Sequence, residues 1–259
     1  LEAGGFEGPI RIVAPGGGRL ADRAAAARIE DLAERPDLGL VLTPPGEVPA
    51  AIDALGRRGA RAAVVFTPTG GDPVLRQAML DAARPHLLRI LGPGSLGLQM
   101  PRLGLDASFA HLTARPGRIG LISQSGAIAG AMIDWAEARD IGFSAILALG
   151  EMADIDTGDL LDHLAADPET RAILLYVEAV TDARKFLSAA RAAARTKPVI
   201  AVKARRGAGG DAVHDAAFRR AGIVRVAALE DLFDAAEALA RQPPLSDDRL
   251  AILGNGGGA

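Results

Sequence analysis

The sequence contains no cysteine, which excludes a disulfide framework, a thiolate metal site and a cysteine nucleophile. Aromatic residues make up only 3% of the chain, so the core must be built from alanine, leucine, isoleucine and valine. No apolar run approaches the roughly 18 residues of a membrane-spanning helix, and residues 1–5 lack the features of a signal peptide. The formal net charge is −3 and the basic residues are dispersed, which does not favour nucleic acid. We therefore expect a cytoplasmic protein with neither a membrane nor a nucleic-acid partner.

The apolar residues, 49% of the 259, are sufficient for one large core or two modest ones. Short apolar runs alternate with amphipathic helical patterns, which is typical of an α/β protein with open parallel sheets. The predicted strands are 9–14, 38–42, 62–66, 87–91, 119–122, 144–149, 172–178, 198–203, 223–226 and 249–253. The predicted helices are 20–34, 48–58, 74–84, one after Gly126, 157–166, 182–194, 211–221 and 229–241.

A domain boundary is predicted at Arg115-Pro116-Gly117, where the turn residues stand between two alternating series. Residues 98–111, just before it, are predicted to form an irregular extended connection. After the second series a further predicted strand runs into Gly254–Gly258, and no helix pattern follows it in the sequence. We interpret this last stretch as the truncated start of a third domain.

The clearest local signal is Ser123-Gln124-Ser125-Gly126, which lies between an apolar strand and a helical pattern. A strand that delivers small residues to a helix start can bind an anion, because free N–H groups converge there at the positive end of the helix dipole. The alternative is an ordinary turn with a serine N-cap. The residues alone leave both interpretations open.

Ligands of open parallel sheets bind at the carboxyl ends of the strands. The candidate loops at those ends are Pro15, Thr43-Pro44-Pro45, Thr67 and Gly92-Pro93-Gly94. Residues 92–97 also fit G-x-G-x-x-G, but no helix pattern opens there, and we interpret the match as accidental.

Three further patterns indicate other chemistry. Glu178 ends an apolar strand and could act as a base, orient a histidine or cap a loop. Glu151, Asp154 and Asp156 could ligate a metal, but no histidine adjoins them, and no metal site is predicted. A nucleophilic Ser125 would need a G-x-S-x-G elbow, which the flanking residues do not form. Each of the four histidines is expected to have a packing role.

Taken in order, several stretches resemble the NDP-forming acyl-CoA synthetases, in particular the α-type subunit of ADP-forming acetate–CoA ligase and, more distantly, the succinyl-CoA synthetase α subunit. The stretches that carry the resemblance are 117–127, Asp134-Trp135, 142–144, 149–156, Asp159-Leu-Leu, Asp167-Pro168, 174–178, 197–200 and 211–218. Residues 87–97 and 104–111 look most like the synthetase-like module of bacterial protein lysine acetyltransferases.

The resemblance implies a Rossmann-like CoA-binding domain over 1–112, whose first strand and glycine loop would precede Leu1. It implies a flavodoxin-like domain over 116–242 and a third domain from 248. It implies phosphate binding by Ser123, Gln124, Ser125 and Gly126, and support of a phosphohistidine by Glu178. Pro15, Thr43, Pro44, Pro45, Gly92 and Pro93 would line a CoA site.

By the same resemblance the activity is the conversion of acid, CoA and ATP to acyl-CoA, ADP and phosphate. ATP, ADP and Mg would require an ATP-grasp domain or subunit, and the assembly would be oligomeric. The alternative function is an inactive acyl-CoA-binding regulatory module linked to an acetyltransferase domain.

The sequence departs from the family pattern at three places. Gly16–Gly18 replace an expected lysine, and Gly94-Ser95 replace an expected Asn-Cys. The segment between Lys203 and Asp211, where the phosphorylated histidine is expected, contains no histidine.

Overall fold

The computed structural model describes residues 1–2, 4–20, 22–204, 211–242, 249 and 251. Its strands are Ile12–Val13 (β1), Gly18–Leu20 (β2), Arg23–Ala26 (β3), Leu38–Val41 (β4), Ala62–Val65 (β5), Arg89–Leu91 (β6), Gly97–Met100 (β7), Leu105–Ser108 (β8), Pro116–Ser123 (β9), Phe143–Ala148 (β10), Ala172–Val177 (β11), Val199–Lys203 (β12) and Val224–Val226 (β13). Its α-helices are Val48–Arg57 (α1), Pro73–Ala83 (α2), Gly126–Glu137 (α3), Thr157–Ala166 (α4), Ala183–Ala194 (α5), Asp211–Ala221 (α6) and Leu229–Arg241 (α7). The predicted third domain lies outside the described residues, apart from positions 249 and 251.

The N-terminal segment forms a small sheet in the order β1-β3-β2, and the helix predicted over 20–34 is wrong. Gly16, Gly17 and Gly18 have φ values of +81°, +66° and +98°, and they turn the chain back after β1. β3 then pairs with β1 in parallel and with β2 in antiparallel register. Helix propensity is a weak preference, and here the strand pairing on both sides of the alanine run overrides it.

The first parallel sheet has the order β4-β5-β6, and its two faces are covered differently. On one face Val48 and Ile52 of α1 and Met79 of α2 are fully buried in one cluster with the strand residues. On the other face Leu40 and Val64 pack into the core of the second domain. The second domain therefore lies where helices would cover the sheet in a doubly wound fold.

The second sheet has the order β13-β12-β11-β9-β10-β7-β8. Its five parallel strands follow the flavodoxin-like order, in which the strand order reverses beside β9. α4, α5 and α6 cover one face, and α3 and α7 cover the other. The predicted α/β fold class with parallel sheets is confirmed.

The stretch predicted as an irregular connection over 98–111 contains a hairpin, and that prediction is wrong. β7 pairs with β8 and also, in antiparallel register, with β10. The Gln99 side chain is buried, donates to the Leu112 carbonyl at 2.9 Å and accepts from the Ala114 N–H at 2.8 Å. These bonds hold residues 97–114 on the edge of the second sheet, which begins before the boundary predicted at 115–117.

Within the described residues, no helix has the length and hydropathy that crossing a membrane requires.

Candidate functional site

The start of α3 lies at the carboxyl end of β9, beside the point where the strand order reverses. Ser125 is the N-cap, and its hydroxyl accepts the Ile128 N–H at 3.4 Å. The N–H groups of Gly126 and Ala127 belong to the first turn, where a helix provides no acceptor. With the helix dipole, these two donors are suited to binding an anion.

Ser123 shapes this turn from inside the protein. It is fully buried, and its hydroxyl donates to the Ser125 carbonyl at 2.7 Å and accepts the Ser125 N–H at 3.2 Å. The Ser123 hydroxyl therefore fixes the conformation that exposes the N–H groups of α3. Sequence reasoning grouped it with the residues that bind the anion directly.

Gln124 connects the start of α3 to the loop after β11. Its side-chain nitrogen donates to the Thr157 hydroxyl at 3.0 Å and to the Ala179 carbonyl at 2.7 Å. Its side-chain oxygen accepts the N–H groups of Glu178 at 2.7 Å and Ala179 at 2.8 Å. The Gln124 backbone N–H donates to Tyr176. This side chain thus holds Glu178 beside the anion site.

Lys203 is a feature of this edge that sequence reasoning missed. It ends β12, is only 8% exposed, and donates from Nζ to the Glu178 carbonyl at 2.7 Å and the Ala204 carbonyl at 3.0 Å. Because β9, β11 and β12 are neighbouring parallel strands, its positive charge lies on the same edge as the start of α3. The available signal was a single lysine at the end of the apolar run 199–202.

The loops after β4 and β5 are joined at the corresponding edge of the first sheet. The Thr67 hydroxyl donates to the Thr43 carbonyl at 2.7 Å. The Thr43 hydroxyl oxygen is buried and has no hydrogen-bond partner within the described part of the chain. Pro44 and Pro45, which follow it, are exposed. This edge therefore offers a solvent-facing loop with an unsatisfied hydroxyl beneath it.

The Gly92–Pro93 turn supports the domain interface. Gly92 has φ +107°, and a Cβ there would lie 2.4 Å from the Val65 carbonyl oxygen, so glycine is required. Both residues are buried, and their carbonyls accept the N–H groups of Ala153 at 2.9 Å and Glu151 at 2.8 Å. Pro15 is exposed and lies next to the separate N-terminal sheet.

Two family models match the chain in succession. One, described as a CoA binding domain, matches residues 3–101, and the other, described as a succinyl-CoA ligase like flavodoxin domain, matches residues 116–239. The α subunit of ADP-forming acetate–CoA ligase I from Pyrococcus furiosus is 32% identical over 98% of this chain, which covers 60% of that relative. Over both of these domains the chain is similar to the NDP-forming acyl-CoA synthetases.

Two further proteins extend this similarity. The ADP-forming 4-hydroxybutyrate–CoA ligase of Nitrosopumilus maritimus is 29% identical over 98% of the chain, which spans 40% of that protein. The solved acetyl-coenzyme A synthetase 1 of Candidatus Korarchaeum cryptofilum, in complex with phosphate and ADP, superposes with a TM-score of 0.92 at 31% identity. That match covers 100% of this chain and 60% of the synthetase chain. The predicted family resemblance is confirmed.

Glu151 joins the two family domains through the turn after β5. Its carboxylate accepts the N–H groups of Thr69 at 2.8 Å and of Gly70 and Gly71 at 3.1 Å. It also accepts the Thr69 hydroxyl at 2.5 Å. Burial acts to raise the pKa of Glu151, but these hydrogen bonds outweigh it and hold the pKa below its usual value.

The other two carboxylates of this acidic segment, Asp154 and Asp156, also have hydrogen-bond partners. Asp154 accepts Arg89 Nε and the Ile90 N–H, both at 2.9 Å, and Asp156 is the N-cap of α4. Throughout the ranges that the structure describes, no group of three or more histidine, aspartate or glutamate side chains could hold a metal. The acidic segment 151–156 therefore builds the interface between the domains.

Proposed function

We propose that this chain is the acyl-CoA-binding part of an NDP-forming acyl-CoA synthetase, which forms acyl-CoA, ADP and phosphate from acid, CoA and ATP. The observation that carries this proposal is the start of α3. Its two free donors, from Gly126 and Ala127, lie on the same sheet edge as Lys203 and Glu178. An anion site at the topological switch point of a family domain is suited to a phosphorylated intermediate.

The step assigned to this site is the transfer of an acyl group from acyl phosphate to CoA. The CoA thiolate attacks the acyl carbonyl, the carbon–sulfur bond forms, and the carbon–oxygen bond to phosphate breaks. Phosphate leaves with the electron pair, and the N–H groups of Gly126 and Ala127 hold its charge. The Lys203 ammonium favours the same dianion through space while it donates to backbone carbonyls.

CoA is proposed to lie on the strand-end loop of Thr43, Pro44 and Pro45. The unsatisfied Thr43 hydroxyl fits this role, because a buried hydroxyl without a partner costs free energy that a polar ligand atom can recover. Gly92 and Pro93 support the loop region from the buried side, and direct contact with CoA is not assigned to them. Pro15 is left outside the site because it belongs to the separate sheet.

The nucleotide part of the reaction is assigned to an ATP-grasp partner or domain, which would supply ATP, ADP and Mg. The chain covers 60% of the Pyrococcus furiosus α subunit, so this division concerns the larger assembly. The resemblance assigns Glu178 to the support of a phosphohistidine. Residues 205–210, where that histidine was expected, lie outside the described residues, and the sequence there has none.

This absence favours a second candidate, in which the chain binds acyl-CoA for regulation and transfers no phosphate. Incubation of the chain and an ATP-grasp partner with ATP distinguishes the two. An acid-labile phosphate on this chain supports the ligase, and its absence with intact acyl-CoA binding supports the regulatory module.

Calorimetry with CoA and with acetyl-CoA tests the binding that both candidates share. We expect saturable heat with at least one ligand, and a Thr43→Val variant should bind CoA more weakly, since it lacks the hydroxyl. The absence of heat with either ligand at millimolar concentration would refute the proposed function.

A further inference from the structure

Three apolar side chains, which we call the aromatic wall, stand at the carboxyl edge of the first sheet: Leu42, Phe66 and Phe109. Leu42 and Phe66 directly follow β4 and β5, whose last residues Val41 and Val65 are paired, so they lie side by side. The rings of Phe66 and Phe109 meet edge to face, with centroids 4.7 Å apart. The wall thus joins the first domain to the segment after β8.

Two members of the wall are exposed, and the third, Phe66, is half-buried. Leu42 is 59% and Phe109 62% exposed, and Phe109 is the single exposed phenylalanine among the seven of the chain, all of which are described. Exposed apolar surface at a ligand-binding edge is typical of a binding site.

The backbone that carries the wall runs close to the start of α3. The Phe109 N–H donates to the Leu96 carbonyl at 2.9 Å. Leu96 in turn packs on the start of α3, since its Cβ lies 3.1 Å from the position that a Cβ on Gly126 would take. Leu96 therefore links the backbone of Phe109 to the first residue of α3.

We propose that the aromatic wall holds the hydrocarbon part of the acyl group and makes the chain prefer bulky apolar acyl groups to acetyl. This inference rests on the proposed function. In an acyl phosphate the carbonyl carbon is joined directly to the phosphate oxygen, so a phosphate at Gly126 keeps the acyl carbons near the start of α3, beside which Leu96 lies. An acetyl group is too short to cover the wall, whereas an aryl or branched acyl group buries it.

The test is calorimetry on the full chain with CoA, acetyl-CoA and phenylacetyl-CoA. The variants are Phe109→Ala, Phe109→Leu and the control Leu103→Ala. Leu103 is 61% exposed, matching Phe109, and it lies between β7 and β8 at the other end of the hairpin. Far-UV circular dichroism verifies that each variant is folded. We expect all of them to fold, because both positions are exposed.

We expect the unaltered chain to bind phenylacetyl-CoA more tightly than acetyl-CoA. Phe109→Ala should raise the dissociation constant of phenylacetyl-CoA about tenfold, because one aromatic contact with the acyl group is lost. The dissociation constant of CoA should change by no more than about twofold. The affinity of Phe109→Leu for phenylacetyl-CoA should lie between those of the unaltered chain and Phe109→Ala. Leu103→Ala should leave the affinities for all three ligands unchanged.

Equal loss of affinity for CoA and phenylacetyl-CoA in Phe109→Ala would overturn the inference, because the ring would then contact CoA itself. Unchanged affinity for both ligands would overturn it as well, and in either case the proposed function survives. If the unaltered chain binds none of the three ligands, the proposed function fails and the inference fails with it.

Discussion

At the residue scale, the candidate site depends on a few polar side chains, each with its own hydrogen-bond partners. Ser123, Gln124 and Ser125 use their side chains to shape the turn, so the N–H groups that follow are the ones proposed to bind the anion. Single substitutions that remove a donor or a support can therefore separate ligand binding from structure.

Replacement of Ala127 by proline should weaken phosphate binding without loss of the helix. Ala127 is exposed and occupies the first turn of α3, where proline is tolerated, so mainly its N–H is removed. We expect the dissociation constant of acetyl phosphate to rise about tenfold, as for a lost hydrogen bond to a charged group. Ala127→Ser keeps the N–H and is the matched control. Equal affinity of the two variants would show that this N–H does not contact phosphate.

Replacement of Gln124 by alanine should loosen the loop that carries Glu178. The change leaves the N–H groups of Glu178 and Ala179 without their acceptor, and we expect the free energy of unfolding to fall by about 3 kcal/mol. Hydrogen exchange of these two N–H groups should accelerate more than that of the core strands. The control for Gln124→Ala is Gln77→Ala, because Gln77 is exposed and its side chain donates to Asp81 within α2. Unaltered protection at residues 178 and 179 would contradict this role.

At the element scale, the two domains are held together by loops at strand ends rather than by shared strands. The turn after β5 gives three successive N–H groups to Glu151, and the segment that follows bonds the Gly92–Pro93 turn. Among the connections between the domains, the one made by Glu151 depends on a carboxylate and is therefore sensitive to acid.

Glu151→Gln should destabilise the protein in a pH-dependent way. The folded-state pKa of Glu151 is lowered, so its contribution is complete above the unfolded pKa and is lost as the pH falls through the folded one. At neutral pH we expect a loss of about 1–2 kcal/mol in the free energy of unfolding, reduced from the full value by partial solvent screening. Urea titrations at several pH values measure this loss, which should shrink in acid. Glu34→Gln, which removes a surface ion pair with Arg11, should show almost no loss, and an equal loss in both variants would contradict the prediction.

At the scale of the whole molecule, the boundary between the domains does not coincide with the boundary of the second sheet. β7 and β8 precede the boundary predicted at 115–117, yet they form one edge of that sheet. The second domain therefore needs residues that the sequence pattern assigns to the connection.

A fragment of residues 97–242 should accordingly be more stable than one of residues 116–242. The shorter fragment exposes the edge of β10 and loses the Gln99 bonds to Leu112 and Ala114. We expect its thermal midpoint to be lower by about 10 °C, as for a loss of roughly 2–3 kcal/mol in a domain of this size. Calorimetry on both fragments measures the difference. Equal midpoints would show that the hairpin does not stabilise the sheet.

Local sequence patterns predicted most of the strands and helices of the two parallel sheets. The helices at 157–166 and 211–221 were predicted at their observed bounds, because an N-cap or acidic start and a 3.6-residue apolar period mark them within the segment itself. The start of α3 was located for the same reason. The alanine run after Gly18 was mispredicted because its helix propensity competes with strand partners that the local sequence does not show.

By itself the sequence determined the fold class and the family resemblance, since turn residues, apolar periods and an ordered series of motifs are all local properties. Only the tertiary structure decided how those residues divide the work. Ser123 and Gln124 are supports because their hydrogen-bond partners come from the turn itself and from the loop after β11. Glu151 is a clamp because its partners lie 80 to 82 residues away on the first domain. The contact of Phe109 with Phe66 likewise links segments that are distant in sequence, and no local pattern predicts it.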